Sequence, residues 1–138
     1  MHSILVRDYM QQNPVTFDRN TNLLQVVHKL LAAKETGAPV INERREVIGF
    51  ISEQDCIKEI LQGAFYCEDP PVVATVMSTQ VISFAPDNSI VEIAQTMITQ
   101  KPKNYPVISE GKLVGMINRR DVLAALLDND EDCYLRVN

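Results

Sequence analysis

The chain says the same thing twice, and this repetition constrains its fold more than any other feature. Val6–Leu61 aligns with Val73–Leu127: Met10 matches Met77, Thr16-Phe17 matches Ser83-Phe84, and "PVINE" (Pro39–Glu43) matches "PVISE" (Pro106–Glu110). The offset is 67 residues through that point and 66 from Gly49 and Gly115 onward, because the turn "NERREV" is one residue longer than "SEGKLV". A slip confined to a turn is what a duplication tolerates. Self-similarity at a fixed period indicates repeated structural units that bury their apolar faces together.

Each copy carries the same coarse order of elements. A short extended piece (Pro14–Phe17; Val81–Phe84) leads into "NLLQ" (Asn22–Gln25) or "SIVE" (Ser89–Glu92), both with capping-box spacing. Apolar residues then recur at helical spacing: Leu23, Val26, Val27, Leu30 and Leu31, or Ile90, Ile93, Ala94, Met97 and Ile98. A hairpin follows, Ala38–Asn42 with Val47–Ser52 and Tyr105–Ser109 with Leu113–Asn118, with polar turn residues and Gly111 in the second. A further helix places Cys56, Ile57, Ile60 and Leu61, or Val122, Leu123, Leu126 and Leu127, on one face. The expected order is β-α-β-β-α, twice. One unit of about 55 residues buries little core alone, so the two are expected to share one. The expected division is residues 1–62 for the first repeat, 63–72 for a linker with Gly63 and Pro70-Pro71, 73–127 for the second repeat, and 128–138 for an acidic tail.

Composition narrows the function classes. A net charge of −5 argues against general attraction to nucleic acid. Three cysteines, Cys56, Cys67 and Cys133, make an odd count without a CxxC pair, so neither a disulfide framework nor a zinc site is signalled. Cys56 reads as a small buried hydrophobe. No apolar run approaches the roughly 20 residues that cross a bilayer, and "MHSILVRDYMQQ" lacks a cleavage-site pattern. A cytoplasmic location without membrane contact is expected. His2 and His28 have no partner at a recognisable spacing, and "DNDED" (Asp128–Asp132) lacks the glycine and distal glutamate of a calcium loop, which leaves a solvated acidic tail. No metal, required cofactor or catalysis is expected, since no nucleophile has a nearby base and no phosphate loop is present.

The repeat that carries chemistry is "GFISEQD" (Gly49–Asp55) and "GMINRRD" (Gly115–Asp121). Ser52 and Asn118 each precede an aspartate by three positions, which is helix-start chemistry: a polar cap and a negative charge at the positive end of the dipole. A second reading gives the same residues a ligand. A glycine-led strand entering a helix N-terminus presents backbone N–H groups to an anion. The carboxylate accepts hydrogen bonds from vicinal ribose hydroxyls, and an apolar slot from Ala38-Pro39 or Tyr105-Pro106 and the first strand takes a flat base.

At these residues the chain resembles a known family. Two tandem units carrying glycine-hydrophobic-x-(Ser/Thr)-x-x-Asp after a Pro-Val strand are similar to a pair of CBS domains, a Bateman module, over Val6 to Leu127. The resemblance implies an α/β (α+β) fold of two tandem repeats packed with pseudo-twofold symmetry. It implies binding of AMP, ADP, ATP or S-adenosylmethionine in clefts between the repeats, and association of two modules into a homodimeric disc. Carried over residue by residue, the first site uses Thr16, Ala38, Pro39, Ser52 and Asp55. The second uses Ser83, Tyr105, Pro106, Asn118, Arg120 and Asp121, with Arg119 assisting. In the family the aspartate holds the ribose, the Ser/Thr position approaches phosphate or ribose, and residues before the Pro-Val pair frame the base.

The two sites are unequal. Glu53 opposes phosphate beside Ser52, whereas Asn118 departs from Ser/Thr but is followed by Arg119 and Arg120, with Tyr105 available to stack and Lys101 and Lys103 upstream. A charge pair about 4 Å apart, worth roughly 4 kcal/mol at an effective dielectric near 20, outweighs one neutral hydrogen bond of about 1 kcal/mol. The second site is therefore expected to take phosphorylated ligands. The first is expected to take a less charged one or stay empty. The resulting expectation is a stand-alone regulatory, energy-sensing module with no enzyme activity, acting through dimer conformation or a partner. The alternative is a structural dimerisation module with vacant sites whose aspartates only cap helices. A small enzyme using Cys56, Cys67 or His28 is a third, weaker reading.

Overall fold

The computed structural model describes residues 4–63, 69–100 and 103–137, with side chains as far as residue 129. A 3-10 turn at Val6–Asp8 comes first. It is followed by α1 (Leu23–Ala33), β1 (Gly37–Ile41), β2 (Val47–Ser52) and α2 (Glu53–Leu61). A short α3 (Val73–Val76) then opens the second copy, continued by α4 (Ile90–Thr99), β3 (Asn104–Ser109), β4 (Lys112–Asn118) and α5 (Arg119–Val137). The architecture is mixed α/β. The turn at Val6–Asp8 and α3 lie at equivalent places in the repeat, and the sequence pattern did not indicate them.

The local chemistry accounts for the boundaries. Asn22 caps α1 by accepting from the Gln25 N–H at 2.9 Å, and Ser89 caps α4 by accepting from the Val91 N–H at 3.1 Å. Lys34 ends α1 in the left-handed conformation, φ 57°. The hairpins are antiparallel, β1 with β2 and β3 with β4. In the first, Gly37 opposes Ser52 and Val40 opposes Gly49, with a register irregularity after Val40.

The expected first strands are one residue long. Phe17 bridges Val40 and Phe84 bridges Val107, both in parallel. Phe17 donates to the Pro39 carbonyl (3.1 Å) and accepts from the Ile41 N–H (2.9 Å), and Phe84 does the same with Pro106 (3.1 Å) and Ile108 (2.8 Å). The next donor along β1 or β3 would be the nitrogen of Pro39 or Pro106, which carries no hydrogen. On the other side the chain turns at once: Asp18 accepts from the Asn20 N–H at 2.7 Å, and Asn88 accepts from the Ala85 N–H at 2.6 Å. The strands therefore stop where the sequence pattern would have continued them.

Most of the described buried residues fall into two clusters. One compact unit holds Met1–Asn13, Ile82–Glu110 and Val114–Asn138. Its core is Val6, Ile90, Ile93, Tyr105, Val107, Ile117, Val122 and Ala125. The other unit holds Pro14–Val81 and Gly111–Leu113. Its core is Phe17, Leu23, Val26, Leu30, Ala38, Val40, Ile51, Cys56 and Val73. Val6 and Val73 are equivalent in the repeat, and each is fully buried among residues of the opposite copy. Each core is thus completed by a segment that the alignment assigns to the other repeat.

On the later helices the apolar pattern does not translate into burial. In α2 only Cys56 is buried, while Ile57, Ile60 and Leu61 are exposed. In α5 Val122 and Ala125 are buried, and Leu123 and Leu127 are exposed. The segment expected as an acidic tail continues α5 to Val137.

Candidate functional site

The motif glycines sit where another stretch of chain crosses the hairpin. Gln11 exchanges backbone hydrogen bonds with Met116 (2.7 and 2.9 Å), and Ser78 does so with Phe50 (both 2.9 Å). A Cβ on Gly115 would lie 2.8 Å from the Met10 sulfur and 2.9 Å from the Gln11 carbonyl oxygen. On Gly49 it would run into the Met77 side chain and come within 2.9 Å of the Ser78 carbonyl. Backbone can approach this closely only over glycine. The backbone carbonyls of Gln11 and Ser78, each one residue past an aligned methionine, thus require the aligned glycines, a link that spacing alone did not reveal.

From each glycine the strand runs into a complete capping box. The Ser52 N–H donates to Asp55 Oδ2 (2.9 Å) and the Asp55 N–H donates to Ser52 Oγ (3.1 Å). The Asn118 N–H donates to Asp121 Oδ2 and the Asp121 N–H to Asn118 Oδ1, both at 2.9 Å. The cap occupies one carboxylate oxygen of each aspartate. A carboxylate offers about four lone-pair positions, so capping and ligand binding do not compete for the same atoms. Among the described residues nothing donates to Asp55 Oδ1. Asp121 receives the Gln11 side-chain amide at 3.4 Å on Oδ1 and 3.5 Å on Oδ2.

The helix starts differ in the amides they leave open. In α2 the Glu53 N–H is given to the Thr36 carbonyl at 2.9 Å. Among the described residues no such bond reaches the Arg119 or Arg120 N–H at the start of α5. Both arginines are exposed, while Ser52, Asp55, Asn118 and Asp121 are half-buried. An anion at the start of α5 would meet two open amides and two guanidinium groups; at α2 it would meet Glu53.

The other expected site residues are placed as follows. Thr16 is half-buried and Ser83 exposed, each next to a bridging phenylalanine. Ala38, Pro39 and Pro106 are buried, and the two proline carbonyls already accept from Phe17 and Phe84. None of the three exposes its side chain. Tyr105 requires a correction. It is 0% exposed, packed edge-to-face on Phe84 at a ring separation of 5.3 Å, and burial raises its phenol pKa. Its ring is core and has no face to offer a base. Half-buried Phe84 is the nearer aromatic to the surface. Lys103 is exposed, and Lys101 lies outside the described residues.

The remaining candidates are quickly placed. Burial, then Asp55 and Glu53, push the Cys56 thiol up to about 11, which keeps it protonated and poorly nucleophilic. His28 is exposed on α1. His2 and Cys67 lie outside the described residues, as does the side chain of Cys133. Among the described residues no group of three His, Cys, Asp or Glu side chains is placed to hold a metal. No helix there is long and apolar enough to cross a membrane.

Comparison with known proteins follows the same division. The CBS domain family model matches residues 6–62 and again 73–128. Protein MJ1225 of Methanocaldococcus jannaschii is 29% identical over 121 residues, which is 88% of this chain but 42% of that protein; the chain spans less than half its length. CBSX2 of Arabidopsis thaliana, solved in complex with AMP, superposes with a TM-score of 0.80 at 24% identity, covering 91% of this chain and 98% of that one. The CBS domain pair of protein MJ0100, solved with 5′-methylthioadenosine and S-adenosyl-L-methionine, also gives 0.80, at 20% identity, covering 94% and 99%. At such identities the two structures speak for the fold.

Proposed function

The chain belongs to the CBS domain family, and from that premise we propose that it is a regulatory module binding an adenosine-containing ligand at the Asp121 and Asp55 motifs. The ligand is AMP, ADP or ATP, with S-adenosylmethionine, which carries no phosphate, as the alternative. The observation that carries this is the divided use of each carboxylate: one oxygen caps the helix, while the other has no donor among the described residues on Asp55 and only the long Gln11 contact on Asp121. AMP on CBSX2 and the adenosyl ligands on MJ0100 support the ligand class. The arginines and open amides at α5 favour the Asp121 motif for a phosphorylated ligand, and Glu53 favours a less charged one at Asp55.

The module works as a homodimer. Among the described residues, eight of the nine exposed large hydrophobics, all but Ile60, fall at equivalent positions of the two copies: Leu24 (46%) and Val91 (50%), Leu31 (67%) and Ile98 (82%), Ile57 (56%) and Leu123 (65%), Leu61 (80%) and Leu127 (58%). Scattered apolar residues on a surface mean little, whereas apolar faces repeated position for position support an interface. The completed capping boxes favour one competing reading, a dimerisation module whose aspartates serve only the helices.

A thermal-shift comparison of wild type, Asp55→Ala and Asp121→Ala with AMP, ATP and S-adenosylmethionine decides between them. Ligand at about 100 times its dissociation constant adds roughly 2.7 kcal/mol, a rise of several degrees for a chain of this size. The expected result is an AMP shift in wild type that Asp121→Ala abolishes. No shift with any ligand, with both variants merely melting lower, leaves the structural module.

A further inference from the structure

We propose that Gln11 is a specificity-determining residue of the Asp121 site, standing in for a ligand's hydroxyl groups until a vicinal diol displaces it. The inference rests on the nucleotide reading above. Gln11 lies outside the Gly115–Asp121 motif, but its backbone is fixed against β4 by the bonds to Met116 at 2.7 and 2.9 Å. From that anchor its exposed side chain spans both Asp121 oxygens at 3.4 and 3.5 Å. These are long for N–H···O bonds, whose usual length is about 2.9–3.0 Å. Hydroxyls donating to a carboxylate sit closer and bind more strongly. The amide is therefore a weak placeholder that a diol can replace, at a cost in affinity.

The other copy lacks this device. Its equivalent residue is Ser78, whose hydroxyl donates instead to the Gln80 carbonyl at 3.4 Å. Asp55 Oδ1 has no donor among the described residues. The two aspartates, equal as caps, are thus unequal as acceptors among the described residues: Asp55 has an oxygen without a donor, whereas Asp121 must first release Gln11. The side chain that separates them comes from a crossing segment more than a hundred residues away in sequence.

The test is calorimetric titration of the full chain carrying Asp55→Ala, which leaves Asp121 as the intact motif, with and without Gln11→Ser. The probes are AMP and 2′,3′-dideoxyadenosine 5′-monophosphate. Gln11→Ser is expected to tighten AMP about fivefold, the equivalent of ~1 kcal/mol, and to leave the dideoxy ligand unchanged. AMP affinity that stays the same or weakens overturns the proposal. So does an equal gain for both ligands, which would place the effect of Gln11 elsewhere than on the diol. Absence of AMP binding with and without Gln11→Ser is a different failure: it removes the nucleotide reading and this inference with it.

Discussion

Asp121 meets two demands with one carboxylate, and substitution can separate them. An asparagine there keeps an oxygen to accept from the Asn118 N–H but turns a donating amide toward any ribose. Alanine loses both functions. Asp121→Ala is expected to lose about 1 kcal/mol of cap energy and to melt roughly 3–5 °C lower. Asp121→Asn should lose less than half of that, while both variants lose the AMP-induced shift. Scanning calorimetry with and without AMP checks this, and an Asn variant that retains the full shift would show that the charge is not used for ligand. The motif itself was legible from sequence because its chemistry is local: a cap three residues before a carboxylate is set by helix geometry. Gln11 and the burial of Tyr105 were not legible. Both depend on which distant segment crosses the hairpin, and neither leaves a periodic trace.

The helices show how far periodicity reaches. Asn22 and Ser89 start α1 and α4 where the sequence pattern put them, and Leu23, Val26 and Leu30 face the core at the expected spacing. The stripe was wider than one face, however. Leu31, Ile57, Leu61, Leu123 and Leu127 continue it into solvent. This second apolar face is the surface that the proposed dimer would bury. Glutamate at positions 61 and 127 together, Leu61→Glu with Leu127→Glu, is expected to convert a dimer to a monomer in sedimentation equilibrium. Melting of the monomer should be little changed, because neither side chain belongs to a core. A wild-type chain that sediments as a monomer at micromolar concentration would remove the dimer from the proposal.

For the molecule as a whole, the decisive feature is the exchange of Val6 and Val73. Each is fully buried, and truncation to alanine removes two methyls at ~0.8 kcal/mol each plus a cavity contribution, about 2 kcal/mol in all. Val6→Ala is expected to speed hydrogen exchange in α4 and β3, and Val73→Ala in α1 and β1, although in sequence each substitution falls in the opposite copy. Exchange that follows sequence proximity instead would contradict the two-unit organisation. The duplication, the element order, the paired hairpins and the capped aspartates were determined by the sequence alone, because each rests on contacts within a few residues or on a repeat that can be aligned by eye. Tertiary structure decided the rest: which short segment completes which core, which apolar faces remain exposed, why glycine must stand at positions 49 and 115, and which aspartate carries a covering amide. These outcomes depend on pairings between segments far apart in the chain. A periodic pattern records that a residue will be buried, but not by what.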